Sequence, residues 1–356
     1  MYAAAFYSNS EMKKLEDEVE ITYEYEPATS LEGQRRLAAG ECQFAASDSA
    51  LLPEHSAAMP NAWFVPSLAQ AIAVVFHLPN VQPGFVLNIP RAVLADIFLG
   101  RIRQWSALAP WNDGLASAPG NITLVVHSDS SATSQLFTAA LSSFSAGTNG
   151  TVVDTGTGSA GPSWPKGVLY GTGDQGAALK IFEIPYSLGY VAHSYLSKLG
   201  ISRSSGIARI SNTAGRFVEP SESSVTAAMN AGAARLDEMR DSGTSVFALS
   251  IVDPPPAAAD AYPIAGFTYI AFDAGRLDCV ALRAVVYLLY WAWTNPEATI
   301  IAQKLTFYPL SQKVVDSLIR AVKLLQCATV AGGTGTLDMI LGDEVTVIVG
   351  AGAGFP

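Results

Sequence analysis

The sequence reads as an α/β protein of two lobes. Three observations carry that reading. Strand-like and helix-like segments alternate along most of the chain. A length of 356 residues is enough for two lobes with substantial cores. The balance of 49 % hydrophobic and 15 % charged residues is that of a globular protein, not a disordered one.

The elements follow in order. Residues 21–25 alternate as a strand, and 27–30 turn the chain into a helix over 31–39. A short strand over 43–46 ends at Ser47-Asp48. Segments 63–65 and 72–76 are apolar, β-rich runs. Residues 91–98 read as a helix stopped by Gly100. A strand over 122–126 feeds a helix over 131–141. Residues 144–170, rich in Gly, Ser, Thr and Pro, read as a long loop. A helix over 177–184, a strand over 188–192, a helix over 221–234 and a strand over 245–252 come next. Pro254-Pro255-Pro256 opens a linker to a strand over 265–272. Helices over 277–293, 296–304 and 311–326 follow, and 328–343 has linker composition. The implied division places 1–75 and 254–327 in one lobe and 76–253 in the other. Residues 328–343 link them to a last strand and turn, 344–356.

The formal charge is −10, from 21 basic and 31 acidic residues, which argues against a nucleic-acid partner or an anionic membrane surface. A small anion is still admissible where a pocket presents backbone N–H groups. Cys42, Cys279 and Cys327 have no metal-ligand spacing, leaving one long-range disulfide as an option. His55, His77, His127 and His193 are scattered, so neither a zinc site nor another cofactor is expected. The run 280–293 contains Arg283 and is too short to span a bilayer, so membrane insertion is not expected. No basic segment with an apolar stretch marks a signal peptide.

Small hydroxyl or glycine residues crowd three strand-to-helix junctions: Thr29-Ser30, Ser128–Thr133 and Gly350–Phe355. Helix capping explains each singly. Together with Ser47-Asp48, they point to a shared site at the carboxyl ends of strands. Gly156–Gly161 and Gly171–Gly176 both fit G-x-G-x-x-G. The first opens no helix, and the second lacks a convincing acidic ribose partner. His77 and His193 follow apolar runs and read as structural histidines. No nucleophile elbow or phosphate-loop lysine occurs, so no enzyme is expected.

Two segments, Phe44-Ala45-Ala46-Ser47-Asp48-Ser49-Ala50-Leu51 and Ile122-Thr123-Leu124-Val125-Val126-His127-Ser128-Asp129-Ser130-Ser131-Ala132-Thr133, resemble signatures of the phosphate-binding protein of bacterial phosphate ABC transporters. So do 97–105, 188–191, 212–218, 261–264 and 307–310. The resemblance implies a two-lobed, type II periplasmic-binding-protein fold, each lobe a mixed sheet flanked by helices, closing on inorganic phosphate or a related oxyanion. It implies an extracellular, periplasmic or cell-surface location. It places a hydroxyl donor at Ser30 and, at Asp48, a carboxylate that accepts the proton of phosphate. Sulfate, unprotonated at neutral pH, would meet that carboxylate without a hydrogen bond. Helix-start donors fall at Ser131, Ala132 and Thr133, and backbone donors at Gly354 and Phe355. His127 stands where the family has an arginine held by an aspartate, here Asp129. Histidine is cationic only part of the time near neutral pH and offers fewer donors, so binding is expected to be weaker and to strengthen toward acid.

The family's opening strand and Gly-Ala-Gly-Ala loop occur here at 345–354, while 1–7 reads as the helix that should follow them. Two arrangements are consistent with this: a segment of a tandem array, with neighbouring repeats as partners, or a tail closing on its own first lobe as in a circular permutant. The competing function is a degenerate scaffold of the same fold, without ligand, used for protein interaction or surface display.

Overall fold

The computed structural model describes residues 24, 26–79, 81–82, 84–118, 120–129, 131–145, 164–196, 206–328 and 334–336. Gly354, Phe355, the rest of 344–356 and the segment 1–7 lie outside them. So do the first strand expected over 21–25, apart from Glu24, and the array and permutation readings of the ends.

The frame is a six-stranded mixed sheet in the order β1-β9-β2-β6-β4-β5. Its strands are β1 (Ala45–Ser47), β2 (Ala62–His77), β4 (Thr123–His127), β5 (Leu169–Gly171), β6 (Ser187–Ala192) and β9 (Ala265–Asp273). One long strand joins its two parts. Residues 62–71 of β2 pair antiparallel with β9, and residues 72–77 pair antiparallel with β6. Beyond β6 the sheet turns parallel through β4 and β5. The two lobes therefore share β2, which passes from one to the other at Ala71–Ile72.

The 63–65 and 72–76 runs are thus one strand. Pro66 breaks the sequence pattern but not the strand, because the ladder shifts register between Pro66 and Leu68 and no amide is needed at the proline. The Pro66 carbonyl instead accepts from Trp293 Nε1 at 3.0 Å. Past the crossing, Ile72, Val74 and Phe76 face the large core, while Ala73 and Val75 face a smaller one with Val125, Ile181 and Val191. The crossing is braced from three directions. Ile72 N donates to the Ile264 carbonyl at 3.0 Å, Tyr262 donates to the Ile72 carbonyl at 2.8 Å, and Tyr308 pairs with Ala69. Tyr308 also lies 2.7 Å from Nδ1 of buried His193, which begins the short helix after β6.

Helices cover the sheets: α1 (Ser30–Ala38), α2 (Pro53–Ala57), α3 (Arg91–Phe98), α4 (Ala132–Ser145), α5 (Gly173–Glu183), α6 (His193–Leu196), α7 (Glu222–Asp241), α8 (Cys279–Thr294), α9 (Pro296–Lys304) and α10 (Gln312–Val322). A small sheet, β3 (Asn88–Ile89), β7 (Arg209–Ser211) and β8 (Phe217–Val218), stands apart from the main one.

Several expectations are corrected. Residues 245–252 form no strand: only Val246 bridges Phe64, which exchanges backbone bonds with Ser245 and Phe247. Within the stretch of linker composition, β11 (Thr334–Thr336) pairs antiparallel with β10 (Gln326–Ala328). Helix α7 runs on to Asp241 and packs on α10, where Asp237 accepts from Ser317 at 2.8 Å and Arg320 at 2.9 Å. That packing and the Val246–Phe64 bridge set 222–247 beside β2 and α10, a grouping the sequence division does not make. Cys279 is disulfide-bonded and Cys42 is free.

Candidate functional site

The strand-to-helix junctions of the two lobes build the site from opposite sides. In the first lobe, Thr29 caps α1 by accepting from Glu32 N at 3.3 Å, so Ser30 opens the helix. The Ser30 hydroxyl accepts from Asp48 N at 3.0 Å, which joins the start of α1 to the end of β1. A hydroxyl used as acceptor keeps its proton for another partner. Beneath, Ser47 is buried and held by Gln34 at 2.8 Å. Asp48, beside it, is exposed. Loss of hydration pushes its carboxyl up to about 6, and the charge of Asp174 acts in the same direction.

In the second lobe, parallel strands β4 and β5 end side by side and each feeds a helix, α4 and α5. Ser131 is the N-cap of α4: its Oγ accepts from Ser134 N at 3.2 Å and donates to Ser134 Oγ at 3.1 Å. The amides of Ala132 and Thr133, first in the helix, have no helical acceptor. Asp129 accepts from Gly173 N at 2.8 Å and so caps α5, where Gly173 takes a left-handed φ of 61°. A side chain at Gly171 would strike the Ala177 backbone, which is why β5 runs so close beneath α5.

His127 ends β4 and is buried, with 3 % of its surface exposed. Its ring stacks on Tyr190 at 5.0 Å and 7°, and Tyr190 stacks in turn on Phe137 at 4.1 Å. Nδ1 lies 3.0 Å from Ser131 Oγ. Because that hydroxyl gives its own proton to Ser134, the proton in this bond is the imidazole's. Nε2 is buried without a hydrogen-bond partner and lies 3.6 Å from Asp174 Oδ1. Asp129 is 3.8 Å from Nδ1. Burial pushes the Tyr190 phenol above its usual range, so it serves the network as a neutral hydroxyl, 2.8 Å from Ser134 Oγ.

The structure joins Ser30 to Asp48, and separately gathers His127, Asp129, Ser131, Ala132 and Thr133 at the end of β4 and the start of α4. His127 differs from expectation in orientation, lying behind the helix start instead of reaching outward as an arginine would. Asp129 chiefly caps α5. Sequence reasoning missed Asp174, whose carboxylate accepts from Ala192 N at 2.6 Å and Thr133 Oγ1 at 3.4 Å. Burial raises its pKa, against the pull of the Ala192 bond and of His127. The signal lies in Gly171–Gly176, a glycine-rich turn that opens a helix and carries Asp174.

A crossing strand shared by two parts of one mixed α/β sheet, with polar residues at the ends of β1 and β4, defines the class of fold. The profile of the PBP superfamily domain matches residues 7–278, and the chain belongs to that family. A curated relative, the phosphate-binding protein PstS of Pasteurella multocida (strain Pm70), is 30 % identical over 298 residues, covering 83 % of this chain and 80 % of the relative. The fold is also that of a high-affinity periplasmic phosphate-binding protein (PfluDING) solved with phosphate bound. That likeness has a TM-score of 0.67 and 20 % identity, over 95 % of each chain. A phosphate-binding protein from Stenotrophomonas maltophilia superposes with a TM-score of 0.63 at 20 % identity, over 90 % of this chain and 92 % of that one. Among the described residues, no helix is long and apolar enough to cross a membrane.

Proposed function

We propose that the chain binds inorganic phosphate, or a similar oxyanion, between its two lobes and performs no chemistry on it. The observation that carries this reading is the pair of polar strand ends, Asp48 bonded to the Ser30 hydroxyl after β1 and the Ser131-capped start of α4 after β4. Asp48 supplies an acceptor for the ligand's remaining proton. The Ser30 hydroxyl and the free amides of Ala132 and Thr133 supply donors, aided by the helix dipole. Ser131 and His127 act from behind, through the cap and the buried network. The resemblance adds Gly354 and Phe355 as backbone donors. The relatives' printed names support the same ligand, and the periplasmic neighbour supports an extracellular, periplasmic or cell-surface setting.

One observation favours the rival reading of a ligand-free scaffold: Ser131 is bonded to His127 Nδ1 and Ser134, and Thr133 to Asp174. Calorimetric titration of phosphate and sulfate at pH 6 and pH 8 separates the two. Micromolar or tighter phosphate binding that excludes sulfate is expected. No heat with either anion, from a folded sample, would leave the scaffold.

A further inference from the structure

We infer that Asp174 is an internal anion that holds the donors a bound oxyanion would use, and so limits how tightly the cleft takes phosphate. The inference rests on the phosphate reading and adds a specificity residue to it. Two donors on the second lobe bond to this carboxylate, and a buried ring nitrogen lies close by. Ala192 N donates to Oδ1 at 2.6 Å, and the Thr133 hydroxyl, at the start of α4, donates to Oδ2 at 3.4 Å. The ring nitrogen is His127 Nε2, 3.6 Å from Oδ1 and without a hydrogen-bond partner. Thr133 and His127 are positions at which the family resemblance implies ligand donors. The Thr133 hydroxyl is spent on a side chain instead.

The consequence is electrostatic as well as steric. Asp174 is a quarter exposed at the cleft wall, and its charge reaches Asp48 across the gap. An entering phosphate dianion therefore meets two carboxylates and, just behind, a third, Asp129. The basic side chain facing it is the buried His127, and the remaining titratable neighbour is the neutral Tyr190 hydroxyl. One carboxylate can accept the single proton of the dianion; the second can only repel it. Burial already biases Asp174 toward its protonated form, so acid weakens the obstacle.

The substitution Asp174→Asn isolates the charge. The amide keeps Oδ1 for Ala192 N, and its nitrogen in place of Oδ2 can no longer accept from Thr133, which frees that hydroxyl. Calorimetric titration of inorganic phosphate into the full chain, parent and D174N, at pH 8 and pH 6 tests the idea, with circular dichroism to confirm the fold. Phosphate is expected to bind D174N at least tenfold more tightly than the parent at pH 8, with a smaller ratio at pH 6. The change in phosphate's own protonation cancels in that ratio, and a merely structural role for Asp174 would not make it depend on pH. Asp174→Ser, also suited to a helix start, should move affinity the same way and stands in if the amide disturbs α5.

A parent that binds while neither variant gains, or a ratio indifferent to pH, overturns the inference and leaves the phosphate reading standing. Binding by D174N alone upholds the inference and makes the parent a blocked site. If parent and variants all fail to bind, both readings fall.

Discussion

The two sides of the cleft do the same geometric job by opposite means. On the first lobe, Ser30 and Asp48 are joined by one amide–hydroxyl bond and keep a proton and a carboxylate turned to solvent. On the second, His127, Ser131, Ser134 and Tyr190 form a closed chain of hydrogen bonds under an aromatic stack. The open side can meet a ligand at almost no cost. The closed side must either act through its frame or break internal bonds first. The polar residues of the second side are thus engaged with each other before any ligand arrives.

The largest effect should come from the closed side's foundation. Phe137 is fully buried, stacked on Tyr190 at 4.1 Å and edge-on to Phe98 at 4.8 Å. Phe137→Ala is expected to cost about 3–5 kcal/mol in urea unfolding, because the cavity lies beneath the ring that supports His127. A cost under about 1 kcal/mol would mean that the stack is not what holds this side closed.

On the open side the effect should appear in binding. If Asp48 accepts the ligand proton, Asp48→Asn should weaken phosphate by about 100-fold and improve sulfate, since an amide can donate to an anion that has no proton to give. Titration of both anions into D48N reads this directly. Unchanged phosphate affinity would shift the working acceptor away from the open side.

How far these assignments were legible depends on what punctuates the chain. Helix α3 was readable to the residue because Pro90 precedes it and Gly100, at φ 73°, ends it. Helix α9 was readable because Asn295 caps it and Pro296 opens it. Strand β2 was split in the reading because Pro66, Ser67 and Gln70 interrupt its apolar run. Only the neighbouring strands reveal that Ser67 is matched by Thr268 at 2.9 Å. Residues 245–252 alternate like a strand but lack a partner beyond one bridge. Toward the site, Ser30, Asp48 and the α4 start stand out in the sequence because each lies at a strand end or helix start rich in small hydroxyl residues. Asp174 does not, because α5 begins four residues before the apolar pattern does, and the carboxylate's partners at Thr133 and Ala192 come from other elements. The burial of His127 was equally invisible, since it depends on Tyr190, 63 residues away.

A smaller effect compares the two helix starts. Ser131→Ala removes the α4 cap and leaves His127 Nδ1 buried without its partner, for an expected cost of about 2–3 kcal/mol. Thr29→Ala removes only a 3.3 Å cap at an exposed helix start, for about 0.5–1 kcal/mol. Denaturant unfolding of the two variants side by side should preserve that order. Equal costs would erase the distinction between an open and a closed side.

The smallest effect is in pH. The Asp48 carboxyl is raised from 3.8 to about 6 in the folded chain, by loss of hydration first and by the charge of Asp174 second. A raised acid binds its proton more tightly when folded. Its contribution to stability is therefore fully present below the unfolded value and is lost as pH rises through the folded one. The melting temperature of the parent, measured against D48N, should fall steadily between about pH 4 and pH 7 and stay level beyond. Solvent contact at Asp48 keeps the change small. Repeating the pair in a D174N background sharpens the comparison. The window should move slightly toward acid, because one charge has gone from the facing wall while the burial remains. A window that does not move would mean that the two sides do not sense each other across the cleft.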